Sequence, residues 1–416
     1  MRVYVGIVVA FSMLTKAAYG TPVSVRRPHM LPYDVNATPL PTAGDDMETV
    51  RLRVLSLLLW PPVSSLPATV SAAVAAADKL NSTCYWPDVD YHDQTRANWL
   101  TYVHLERVFT ITQAYATPGS TAFENATLGT ALHCSLDVWL KRHWTNPNWW
   151  YQWIGVEIDL QGIYLMLGQN RTTTAEQAAL IERSYDSAWW VNPWGGGANL
   201  VWMIRVELMR GLASGNVTAV SQAFNASWAD VTIKSPTENG QGIMPDHSYH
   251  FHGQQMMSYS YGAEWASDVM MFSQASAGTA FALPPPRAAI LCDFMAFGDA
   301  ALALGLHGEK YDWACEGRGV DRPGYTFTVP FGTAALAALS GQCTDPAAAT
   351  AINAWIARLQ HDAQASPATL SSYFYTSDWA SHSRPTWAAT VKTFGNNSRY
   401  AIVPGECDNS EDTQVR

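Results

Sequence analysis

The chain has 416 residues, of which 48% are hydrophobic and only 14% charged, a composition that excludes a disordered polymer. Its formal net charge of -10 excludes a generic binder of nucleic acid or of an anionic membrane, and any acidic partner must be held by local cations. The 18 Trp and 18 Tyr fit either a bulky aromatic core or a cleft whose flat rings stack on sugars.

In chain order, residues 1–20 read as a signal peptide. Met1 and Arg2 give a positive start, Val3 to Leu14 is an apolar run, and Lys16, Ala17, Ala18 and Gly20 follow. The run is too short to span a bilayer comfortably, so the expectation is a secreted, extracellular protein with no membrane attachment after cleavage, a short membrane anchor being the alternative. Residues 21–45 are rich in Pro and Thr and read as an extended N-terminus. Helical periodicity begins near Asp46, where Met47, Val50, Leu52, Val54, Leu55, Leu57, Leu58 and Leu59 are apolar on a broad face. Further helices are expected at 65–80, 95–115, 150–168, 174–189, 199–213, 217–229, 253–275, 285–305, 331–341 and 346–364. Thr174 with Gln177 has capping-box spacing, and Asp345 precedes a proline at the favoured first helical position.

No convincing strand precedes about residue 370, and no exact repeat is visible. The expected fold is therefore mainly α. A toroid of helical hairpins around a central cleft, over residues 46–370, suits the pattern better than a regular solenoid. Residues 371–416 change texture. "RPTWAATVKTFGNNSRYAIV" alternates like paired strands with a Gly-Asn-Asn turn, and is expected to open a β domain of which only the first piece is present. Six cysteines (Cys84, Cys134, Cys292, Cys315, Cys343, Cys407) fit an oxidised compartment but leave 15 pairings open. Seven Asn-x-Ser/Thr sequons, at Asn36, Asn81, Asn125, Asn170, Asn216, Asn225 and Asn396, fit an exported glycoprotein.

Four segments carry candidate chemistry. In "NPNWWYQWIG" Trp149, Trp150 and Trp153 cluster beside Asn146 and Asn148, a possible stacking platform or an aromatic core wedge. "GGGAN" brings backbone close to something and leads to Asn199, which either caps the following helix or turns its amide to the cleft. "DHSYHFHGQQMMSYSYG" holds His247, His250, His252, Tyr259 and Tyr261. It lacks HExxH, so a metal site is not expected. "GRGVDRP" places Arg318 and Arg322 four apart among glycines, which suits an anion clamp or a structural ion pair.

In this order the four segments resemble polysaccharide lyase family 8, the family of hyaluronan, chondroitin AC and xanthan lyases, and look closest to the chondroitin AC type. The resemblance covers about residues 45–410. It implies an incomplete (α/α) toroid of helical hairpins followed by the first strands of a β-sandwich. It also implies β-elimination on an acidic polysaccharide such as chondroitin or hyaluronan, with no cofactor or metal. By the same resemblance Asn199 neutralises the uronate carboxylate, Tyr261 transfers the proton, His252 assists, and Arg318 lies near Tyr261 and the glycosidic oxygen. Trp149 and Trp150, with Asn148 beside them, hold sugar rings, and Arg322 assists binding. The family's β-sandwich contributes an acidic residue, for which Glu406, or Glu411, is the candidate. The expected state is a monomer. Two rivals remain: a glycoside hydrolase using two of Glu157, Asp159 and Asp246, and a secreted glycan-binding protein without catalysis.

Overall fold

The computed structural model describes residues 45–186, 196–236, 240–304, 307–312, 315, 328–362, 364–365 and 369–393. Helices dominate. After α1 (Asp46–Val54) come α2 (Leu66–Asp78), α3 (Val103–Ala116), α4 (Ala126–Arg142), α5 (Val156–Leu167), α6 (Thr174–Asp186), α7 (Ala198–Ser214) and α8 (Val217–Asp230). Then follow α9 (Ala263–Ser276), α10 (Pro285–Asp293), the short α11 (Ala300–Leu302), α12 (Thr333–Ser340) and α13 (Pro346–Leu359). No helix among the described residues is long and apolar enough to cross a membrane.

Packing order gives the toroid. Helix α3 packs on α5, α5 on α7, α7 on α9, and α9 on both α12 and α1, which forms an inner wall. Helices α2 and α4 back α3, α6 backs α5, and α8 backs α7. The sequence explains the two layers. Every residue of α5 is buried, because its apolar side chains run all round, as an inner helix requires. Its polar residues are paired: Glu157 Oε1 meets Arg183 Nη2 at 2.9 Å, Asp159 Oδ2 accepts from the Tyr102 hydroxyl at 2.6 Å, and Gln161 Nε2 donates to the Leu180 carbonyl at 2.8 Å. Outer helices such as α2 and α8 bury one stripe and expose the other.

Helix α4 falls outside the expected set. Its stripe of Leu128, Leu132, Leu136 and Trp139 is buried, and Asn125 caps it by accepting from the N–H groups of Thr127 (3.0 Å) and Leu128 (3.1 Å). The capping box of α6 also sits one residue earlier than expected. The Glu176 N–H donates to Thr173 Oγ1 at 3.2 Å and the Thr173 N–H to Glu176 Oε2 at 2.7 Å. Glu176 takes the place expected of Gln177 because its buried carboxylate also holds His133 Nδ1 at 2.8 Å. The cap at Asp345 is as expected, accepting from the Ala347 N–H at 2.9 Å.

Strands occur before residue 370, contrary to expectation. A small antiparallel sheet joins β1 (Gly242–Ile243), β2 (Tyr249–Phe251) and β3 (Gln255–Met256), and a second pairs β4 (Ala303–Leu304) with β5 (Lys310–Tyr311). Helix α9 consequently starts well after residue 253. Further on, β6 (Leu370–Phe374), β7 (Trp379–Arg384) and β8 (Trp387–Lys392) form an antiparallel meander. The segment expected to open a hairpin does supply a strand, β8, but its partner is upstream β7. The Gly-Asn-Asn turn lies outside the described residues. The meander docks on the helical body through Asp246, whose carboxylate accepts from Ser248 N–H (3.1 Å) and Oγ (2.7 Å) and from Thr376 N–H (2.6 Å) and Oγ1 (2.7 Å).

Disulfides join Cys84 to Cys134 and Cys292 to Cys343. Cys315 is buried, and Cys407 lies outside the described residues. Much of the tryptophan richness is core, since Trp86, Trp139, Trp265, Trp355 and Trp379 are among the largest fully buried side chains.

Candidate active site

The inner helices α5, α7 and α9 present their N-terminal ends at one end of the toroid. Two of these ends begin with a π-helical turn, Tyr151–Gly155 before α5 and Ser258–Gly262 before α9. Such wide turns interrupt a helix's regular ladder and recur where side chains must be re-aimed. The second one carries Tyr261.

Tyr261 is half-buried and stacks on Phe251, with ring centroids 4.0 Å apart at 17°. His252 meets the same ring edge-on at 5.2 Å and is itself exposed. Its backbone has φ +55°, a left-handed geometry uncommon outside glycine, at the turn between β2 and β3. That turn projects the imidazole over the phenol. Trp202 of α7 closes the other side of Tyr261 at 6.0 Å, and Trp150 meets Trp202 edge-on at 6.0 Å. An aromatic floor thus runs Trp150, Trp202, Tyr261, Phe251.

Asn199 is the second residue of α7, behind N-cap Gly197. It is therefore not the cap. It lies one turn before Trp202, so the two side chains share a helix face. Asn199 is 7% exposed, and its amide makes no hydrogen bond among the described residues. The glycine turn that sets its position is held by a residue the sequence did not single out. Asp230, at the end of α8, accepts the Gly197 N–H at 3.0 Å, the Trp265 indole N–H at 2.9 Å and Lys234 Nζ at 2.8 Å. Gly197 has φ +75°, and a Cβ there would lie 3.0 Å from both the Phe251 ring and the Tyr249 hydroxyl.

The tryptophan segment sits beside this floor. Trp149 and Trp150 are half-buried and Trp153 is 40% exposed, with Trp149 edge-on to Trp153 at 6.5 Å. Asn148 is committed to the loop itself: its amide donates to the Arg96 carbonyl at 2.9 Å and accepts the Trp150 N–H at 3.1 Å. These bonds shape the loop that carries the tryptophans. Gly155 is required beneath Trp150, since a Cβ there would lie 2.5 Å from that ring.

The other two histidines separate cleanly from His252. His250 Nε2 meets Ser377 Oγ at 2.7 Å, and burial pushes its imidazole down to about 4. It is a neutral bolt between β2 and the meander. His247 has φ +64° in the β1–β2 turn. Among the described residues no group of three or more His, Cys, Asp or Glu is arranged to hold a metal ion. Arg318, Arg322 and Glu406 lie outside the described residues.

The arrangement sets an imidazole and a phenol against one aromatic floor, and the Asn199 amide lies one helical turn before Trp202 of that floor. The three carboxylates named as hydrolase candidates each have a partner among the described residues. Glu157 pairs with Arg183, Asp159 with Tyr102, and Asp246 with Thr376 and Ser248.

Known proteins resemble this chain in sequence and in fold. The chain is 26% identical to chondroitinase-AC of Pedobacter heparinus over 239 residues, which is 57% of this chain and 33% of that one. It is 23% identical to a hyaluronate lyase of Thermasporomyces composti over 270 residues, 60% of this chain and 33% of the relative. The chain thus spans about a third of the length of both relatives. Among solved structures, a chondroitinase AC lyase studied through enzyme–oligosaccharide complexes superposes with TM-score 0.72 at 22% identity, covering 85% of this chain and 50% of that one. A Paenibacillus xanthan lyase gives 0.68 at 17% identity, covering 85% and 37%. The chondroitin AC lyase of Streptomyces coelicolor A3, in complex with chondroitin sulphate, gives 0.65 at 20%, covering 83% and 53%. Residues 63–359 match the family described as polysaccharide lyase family 8, N terminal alpha-helical domain, and the chain belongs to that family.

Proposed function

We propose that this chain cleaves uronic-acid-containing glycosaminoglycan, chondroitin or hyaluronan, by β-elimination, and that it acts outside the cell as a monomer after removal of residues 1–20. The observation that carries the reading is the meeting of His252, Tyr261 and Trp202 one helical turn from Asn199. The family membership and the names of the relatives support the polymer class.

The chemistry follows from the residue types. The proton on carbon 5 of a uronate is weakly acidic while the neighbouring carboxylate is charged. The Asn199 amide donates to that carboxylate and stabilises the charge that grows as the proton leaves, as a preorganised donor does. Tyr261, as phenolate, takes the proton. The C5–H pair becomes the C4–C5 double bond, the C4–O bond breaks, and the Tyr261 hydroxyl returns a proton to the leaving oxygen. A free tyrosine ionises near pH 10 (roughly), so a cation must favour the phenolate. Arg318 is proposed for that role, because an opposite charge stabilises the ionised form. His252 shares the base role or polarises the carboxylate. Trp149 and Trp150 stack on neighbouring sugars, Arg322 assists binding, and Glu406 supplies the acidic partner.

Mass analysis of the products separates this reading from its rivals. Elimination yields two fragments whose masses sum to that of the substrate. Fragments that sum to substrate plus one water would indicate a hydrolase. Affinity for chondroitin with no fragments at all would indicate a binding protein.

A further inference from the structure

Five of the sequon asparagines lie among the described residues, and three of them gather at the end of the toroid away from the cleft. Asn170 follows the C-terminus of α5, Asn216 caps α8 just after α7 ends, and Asn125 caps α4. At 1.5 Å per residue, the run of α7 from Asn199 to Ser214 puts Asn216 about 20 Å or more from the cleft. The three loops are tied together. Arg171 Nε bonds Glu124 Oε1 at 2.8 Å, beside Asn170 and Asn125, and Gln169 Nε2 reaches the Ala213 carbonyl at 3.5 Å, next to the Asn216 turn.

All three asparagines are chemically ready. Asn125 and Asn170 are exposed and Asn216 is half-exposed. Where a cap is made, it uses only the oxygen: Asn125 Oδ1 and Asn216 Oδ1 accept backbone N–H groups. The amide nitrogen, where a glycan attaches, makes no hydrogen bond among the described residues at any of the three. Beside Asn170 runs a groove of about 880 Å³ lined by Arg51, Tyr115, His133, Gln169, Arg171 and Thr173. Each cation there is matched by a carboxylate: Arg51 by Glu48, Arg171 by Glu124 and His133 by Glu176. The lining is polar, carries an aromatic ring and is locally neutral. That suits an uncharged sugar and gives no purchase to an acidic polymer.

We propose that this far end is a glycan-bearing face, with N-linked glycans on Asn125, Asn170 and Asn216 and the first sugars of the Asn170 glycan seated in the groove. The glycans then shield the end that does not take substrate and leave the cleft end open. The proposal rests on the export reading above.

The chain is secreted from yeast or insect cells behind a heterologous leader, and its glycopeptides are mapped by mass spectrometry. Glycans are expected at all three asparagines. Release by an endoglycosidase is expected to be several-fold slower at Asn170 than at Asn125 in the folded protein, and equal after denaturation. Bare asparagines, or equal release rates in the folded state, overturn the proposal. Asn170→Gln should lose its glycan and Thr172→Ser should keep it, with polysaccharide cleavage unchanged in both; lost cleavage in Asn170→Gln overturns the separation of the two ends. A parallel arm keeps the native residues 1–20, and retention inside the cell in that arm alone overturns the export reading.

Discussion

Gly197 illustrates how tightly single residues set the cleft. Its positive φ and the crowding by Phe251 and Tyr249 leave no room for a side chain. Gly197→Ala is expected to cost about 1–3 kcal/mol of stability and to lower kcat by displacing Asn199; a variant with native melting temperature and full turnover would contradict this. Gly155→Ala should act differently. It pushes the Trp150 ring aside, so KM for polymer should rise more than kcat falls. His250 gives a pH prediction. Its folded-state value of about 4 lies below its ordinary 6.5. Stability from the neutral ring is therefore complete above pH 6.5 and is lost as pH falls from 6.5 through 4, to a total of about 3 kcal/mol. His250→Gln should lose less melting temperature than the parent between pH 7 and pH 5, and an equal loss would remove His250 from the account. Asn199, His252 and Tyr261 stand out in the sequence because each lies in a distinctive run of glycine, histidine or tyrosine, and the family resemblance is what gives them their proposed roles. Asp230 and Trp202 do not stand out, because one acid and one ring within amphipathic helices carry no local signal, and only the fold reveals what they touch.

Helices of strong apolar periodicity were legible at the element scale, and two kinds of element were not. Helix α4 mixes Gly129, Thr127, Thr130, Cys134 and Ser135 into its turns, residues of modest helix preference, and that masked its buried stripe. The strands β1 to β3 have two or three residues each, too few for alternation to show. Their importance is mechanical: the β2–β3 turn aims His252, and Asp246 ties the β1–β2 turn to the meander. Asp246→Ala leaves the buried N–H groups of Ser248 and Thr376 without an acceptor. It is expected to destabilise by about 3 kcal/mol, read as a lower denaturant midpoint, and an unchanged midpoint would show that the meander is not docked through this carboxylate.

Across the whole molecule, the mainly α fold was legible from the succession of periodic helices, and the toroid from the lack of an exact repeat together with the family resemblance. The cysteine pairing was not legible, because spacing alone cannot choose among pairings, and only folding brings Cys84 to Cys134 and Cys292 to Cys343. These bridges span sequence separations of 50 and 51. Each is expected to stabilise by about 4 kcal/mol through restriction of the unfolded chain. Reductant should therefore lower the melting temperature markedly, and an unchanged transition would contradict the pairing. Above this scaffold the central claim is that Tyr261 performs an elimination in the cleft between α5, α7 and α9. The direct measurement is ultraviolet absorbance of chondroitin sulfate or hyaluronan incubated with the parent chain and with Tyr261→Phe. The account predicts a rise from conjugated unsaturated uronate with the parent and none with the variant. An equal rise with both, or cleavage by the parent with no rise, would contradict it.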